Sequence, residues 1–77
     1  MCTSNKCIAV REIVAGWMKQ NGVNSHWTVD DNLTTDRYVM ISVVGVADPL
    51  ILPNDEHISS ALKREVEEWL TRIVCKD

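Results

Sequence analysis

Residues 37–46 read RYVMISVVGV, and the fold turns on how that run is read. Its aromatic and β-branched residues make it the strongest strand signal in the chain. Alternation sends Tyr38, Met40, Val44 and Val46 to one side and Val39, Ile41 and Val43 to the other, so both sides are apolar. A strand of that kind usually has both faces covered. The rest of the chain must therefore supply two coverings, or leave one face for something else.

Working outward, HWTV (26–29) is a second strand, and the polar run VDDNLTTDRY (29–38) holds the turn that joins the two, over residues 31–36. Downstream, ADP (47–49) is a turn signalled by Asp48-Pro49. LIL (50–52) lies between Pro49 and Pro53 and reads as a short edge strand, or as extended chain without pairing.

Helices flank this centre. Cys7, Val10, Ile13, Val14, Trp17 and Met18 recur at helical spacing, with Arg11, Glu12, Lys19 and Gln20 opposite them. Ser4 or Asn5 is the expected N-cap, and Asn21-Gly22 the stop. At the other end, NDEHISSALKREVEEWLTRIVCKD (54–77) places Ile58, Leu62, Val66, Trp69, Leu70 and Ile73 on one helical face. Asn54 or Asp55 is its expected cap, and Asp55 and Glu56 suit the positive end of its dipole. Lys63–Glu67, Arg64–Glu68 and Glu68–Arg72 form i,i+4 pairs on the wet side.

The chain is thus expected to be one small α+β domain over residues 1–77, with residues 1–4 frayed. Its order is α-β-β-(β)-α, with two helices packed on one face of a two- or three-stranded antiparallel sheet. Two helices cover only one face of such a sheet. The other is expected to meet a second copy, a different partner or a folded-back segment, and a homodimer is the leading expectation.

The totals set further bounds. A chain of 77 residues buries only roughly 60–65% of the surface it exposes when unfolded, so its core is thin. Apolar residues at 45% and charged residues at 25% are ordinary for a globular domain. The net charge of −3 argues against nucleic acid as a partner. No apolar run approaches the ~18 residues of a membrane span, and MCTSNKC at the start lacks the apolar core of a signal peptide. Three cysteines, Cys2, Cys7 and Cys75, leave one over, so a disulfide framework is not expected and a cytoplasmic location is.

The acidic residues are unevenly spread. Asp30, Asp31, Asp36, Asp48, Asp55 and Glu56 face Arg37 alone, which leaves residues 30–56 at −5 and the remainder at +2. Threading the expected topology brings Asp30, Asp31, Asp36, Asp55 and Glu56 to one end of the molecule, a docking surface for a basic protein partner. The plainer explanation is that Asp and Asn populate turns and that acids favour helix starts. The stretch is no calcium loop, since the DxDxDG spacing and closing Glu are missing. Nor is a cleft expected around a carboxylate pair in so short a chain.

In element order the chain resembles the double-stranded-RNA-binding domain, which uses its first helix, the loop between its first two strands and the start of its second helix. That module usually carries lysines at the second helix start. Here the matching segment is NDEHISS (54–60) and the first turn is DDNLTTD (30–36), so the phosphate-contacting chemistry is absent and RNA binding is not expected.

Other chemistry is thinly supported. Cys2 and Cys7 are spaced C-x4-C, with His26, His57 and Cys75 scattered, which is not the paired short spacing of structural zinc. Gly16, Gly22 and Gly45 are isolated, so no phosphate loop exists. His57 beside Ser59 and Ser60 reads as a solvated helix start, and no enzyme activity, metal or cofactor is expected. Trp17 and Trp69 belong to the core, whereas Trp27, Tyr38, Met40 and Val44 are the candidate contact on the open sheet face.

The expected function is a non-catalytic protein-binding module: a small regulator, adaptor or stoichiometric inhibitor. Accessory proteins of phages or other mobile elements that inhibit a host complex are one such class. A nucleic-acid-binding domain using Lys6, Arg11, Lys19, Lys63 and Arg64 is the alternative from a different class.

Overall fold

The computed structural model describes residues 4–32, 37–54 and 60–74. Five elements follow in order: α1 (Asn5–Gln20), β1 (Trp27–Asn32), β2 (Tyr38–Val43), β3 (Leu50–Pro53) and α2 (Ser60–Val74). The three strands form an antiparallel sheet in the order β1-β2-β3. The α+β class, the two helices and the third strand all agree with the sequence reading.

Both ends of α1 are written in its sequence. Ser4 is the N-cap, and its Oγ accepts the Cys7 N–H at 3.2 Å. At the other end the Val23 N–H reaches Met18 O at 2.9 Å and the Gly22 N–H reaches Lys19 O at 3.3 Å. Those two bonds form a Schellman motif, with Gly22 taking the positive φ of 63° that it needs. Val23 then packs against the core next to this end, completing the cap.

Register decides which side chains meet the helices. Val29 pairs with Ile41 and Trp27 with Val43, while Leu52 pairs with Val39 and Leu50 with Ile41. These residues share one face of the sheet. They join Cys7, Val10, Val14, Trp17 and Met18 of α1 and Leu62, Val66 and Leu70 of α2 in a single core. Trp27, Ile13, Trp69 and Ile73 pack at its margin, half-buried.

Several expectations need correcting. β1 runs to Asn32 rather than Val29, so Asp30 and Asp31 are strand residues and not part of the turn. β2 ends at Val43, and Val44–Val46 turn the chain instead of extending the strand. The Val46 N–H bonds Val43 O at 3.0 Å across that turn, and Gly45 sits at φ 92° in its third position. Glycine there outweighs the β propensity of its two valine neighbours. Ser4, assigned by sequence to a frayed end, is held in place instead. Asn54 does not turn its side chain to α2: its Nδ2 donates to Ser4 Oγ at 2.9 Å. Asp55 and Ile58, the other expected cap and the first expected core residue of that helix, lie outside the described residues.

Candidate functional site

The sheet has one covered face and one open face. The open face carries Thr28 and Asp30 from β1, Tyr38, Met40 and Ser42 from β2, and Ile51 and Pro53 from β3. On the central strand Tyr38, Met40 and Ser42 are half-buried, and Ile51 beside Met40 is 58% exposed. Period-two alternation sends these side chains away from the helices. The result is a small apolar patch of Tyr38, Met40, Ile51 and Pro53 with one carboxylate, Asp30, on its β1 side.

Only two of the four expected contact residues lie here. Tyr38 and Met40 do. Trp27 projects from the opposite face, since it pairs with Val43 and packs against the core. Val44 lies beyond the strand, in the β2–β3 turn, and is 72% exposed. Ile51 was missed, because its strand is short and its register cannot be read from three apolar residues in a row.

The acidic residues also separate. Asp30 and Asp31 adjoin in sequence but point to opposite faces of β1. Asp31 pairs with Val39 on the helix side, where Asp31 Oδ2 accepts the Ser4 N–H at 2.7 Å. This carboxylate ties the entrance of α1 to the sheet, which is a structural task. Asp36, Asp55 and Glu56 lie outside the described residues, so the expected gathering of five acids at one end cannot be drawn from Asp30 and Asp31 alone.

A polar knot surrounds this junction. Lys6, on α1, is only 6% exposed, and its Nζ donates to Pro53 O at 2.6 Å. Asn54 is 4% exposed, and its backbone N–H donates to Arg37 O at 3.2 Å. Its Oδ1 is buried without a hydrogen-bond partner among the described residues. The sequence did carry a signal for Lys6: it precedes Val10, Val14 and Trp17 at helical spacing, so it falls on the buried stripe.

Lys6 is therefore withdrawn from the basic residues counted on the helix exterior. Arg64 is engaged as well, its Nε meeting Glu68 Oε1 at 3.1 Å. Arg11, Lys19 and Lys63 remain exposed. Of the three i,i+4 pairs expected on α2, only Arg64–Glu68 forms among the described residues.

Cys7 is fully buried and disulfide-bonded, with its partner cysteine outside the described residues. Among the described residues no three His, Cys, Asp or Glu side chains come together as a metal site. His57, Cys2 and Cys75 lie outside them. No described helix is long and apolar enough to cross a membrane. A shallow groove of about 410 Å³ runs between Ile13 and Gly16 of α1 and Lys63 and Glu67 of α2.

Comparison of the chain with known protein families, with curated proteins and with solved structures finds no match.

Proposed function

We propose that the protein is a non-catalytic protein-binding module, a small regulator, adaptor or stoichiometric inhibitor, and that it self-associates through its open sheet face. The supporting observation is the exposure of Ile51 beside Met40 and Tyr38 on a face that neither helix covers. Scattered exposed apolar residues need no explanation, but these three adjoin across two paired strands.

Magnitudes constrain the kind of complex. Three strands about 4.8 Å apart and about six residues long offer roughly 300 Å² of projected area. A stable dimer needs about 800 Å² from each partner. Association through this face alone is therefore weak and concentration-dependent, unless neighbouring surfaces join it. A cytoplasmic setting rests on the low cysteine count, and the disulfide-bonded Cys7 counts against it.

The test is sedimentation velocity over a concentration series, with Met40→Lys and Ile51→Lys combined. The parent chain should show a mass that rises with concentration, and the double variant should stay monomeric with an unchanged circular dichroism spectrum. A parent chain that remains monomeric at millimolar concentration would remove the self-association reading.

A further inference from the structure

A second surface lies at the far end of the molecule, where the β2–β3 turn approaches the last two turns of α2. Between them is an open cleft of about 620 Å³, with Val46 and Asp48 on one wall and Trp69, Arg72 and Ile73 on the other. That volume falls within the range of sites that hold small ligands or short peptide segments. Trp69, Val46 and Ile73 are each half-buried, so the floor is apolar but reachable. The turn also carries Val44 at 72% exposure, where tight turns ordinarily carry polar residues.

The charged groups at the rim are unspent. Glu68 pairs with Arg64, four residues earlier, and leaves Arg72 without an ion pair among the described residues. Neither the Arg72 guanidinium nor the Asp48 carboxylate has a hydrogen-bond partner among the described residues, and the same holds for the Trp69 indole N–H. An anion-seeking fork, a carboxylate and a free donor thus frame one apolar floor.

We propose that this cleft docks an extended segment of another protein that presents one bulky apolar side chain with an acidic residue two positions to one side and a basic residue two positions to the other, so that all three point the same way. The apolar side chain covers Trp69, Val46 and Ile73. The segment's carboxylate meets the planar guanidinium of Arg72, which suits two-pronged contact, and its cation meets Asp48. A segment with like charges on both sides places one of them against its own sign, so the cleft selects for mixed flanks. The proposal rests on the protein-binding reading above and names a different surface for it.

The experiment uses acetylated, amidated five-residue peptides titrated at millimolar concentration into the ¹⁵N-labelled chain. Two carry mixed flanks, Glu-Gly-Leu-Gly-Lys and Lys-Gly-Leu-Gly-Glu, and two carry like flanks, with Glu or Lys at both ends. At least one mixed peptide should shift the Trp69 indole resonance and the amides of residues 45–48, and the like-flanked peptides should bind more weakly. Arg72→Glu should weaken that binding about tenfold. Exchanging both charges, Asp48→Lys with Arg72→Glu, should move the preference to the peptide of reversed order. Both positions are exposed, so folding is preserved. No shift at Trp69 with any peptide, or equal binding of all four, overturns the cleft proposal. Shifts confined to Met40 and Ile51 overturn it too while favouring the sheet face, so the two surfaces are judged separately.

Discussion

Asp31 accepts the Ser4 N–H at 2.7 Å and Ser4 Oγ accepts the Cys7 N–H at 3.2 Å, so a carboxylate and a hydroxyl between them order the first turn of α1. Replacing Asp31 by Ala removes an acceptor from a half-buried N–H and should lower the unfolding free energy by about 1–2 kcal/mol. Asp31→Asn keeps an acceptor oxygen and should cost about half as much. Urea unfolding followed by circular dichroism measures both. Charge reversal at Asp31 would unseat α1, so loss of a partner in that variant says nothing about docking. At this scale the sequence was legible for apolar side chains and misleading for polar ones. Val10, Val14, Val66 and Leu70 are buried as their spacing requires. Asp31 looked like a turn residue, Lys6 was counted on the helix exterior and Asn54 was an expected cap of α2. Each serves a tertiary hydrogen bond whose partner lies 27, 47 or 50 residues away, and no local pattern records such a partner.

The elements were legible wherever their ends are set by local chemistry. Asn21-Gly22 ends α1 as a helix stop should, and the helical face of α2 follows its apolar spacing. The strand ends were not. Valine on either side of Gly45 suggested that β2 continues, whereas the backbone turns there with Gly45 at φ 92°. A Cβ built on Gly45 meets no atom within 4 Å, so only the backbone opposes a side chain at that position. Gly45→Ala should therefore destabilise the protein by about 1–2 kcal/mol without disturbing the packing around it. The urea midpoint should fall while the slope of the transition is unchanged. A shift below about 0.3 kcal/mol would mean that the turn relaxes to another form at little cost. The same turn carries Val44 away from the sheet face, and Val46 and Asp48, just after it, line the cleft beside Trp69. One misplaced strand end thus removed a candidate contact residue from the open sheet face.

For the whole molecule, the helix layer and the single sheet give extents of 37 × 25 × 17 Å and a radius of gyration of 12.0 Å. Stacking two copies by their open faces, with sheets about 10 Å apart, doubles the thin dimension and gives a radius of gyration of about 15 Å. Joining them end to end along the 37 Å axis gives more than about 20 Å. Small-angle scattering across a concentration series separates these arrangements, and the face-stacked value is the expected one. The two-sided apolar pattern of β2 pointed to an open face before any coordinates, because it needs only the count of helices available. What the counting could not supply was the size of the face, which decides how strong the association is.

The composition of the edges has a further consequence. β3 is four residues long, follows Pro49 and ends in Pro53, which has no N–H to offer. β1, at the opposite edge, carries two adjacent aspartates, Asp30 and Asp31. Neither margin welcomes another strand, so copies of this chain are not built to add sideways into a ribbon. Contacts through the flat face or the cleft are finite, and concentrated solutions should hold discrete particles rather than growing fibrils.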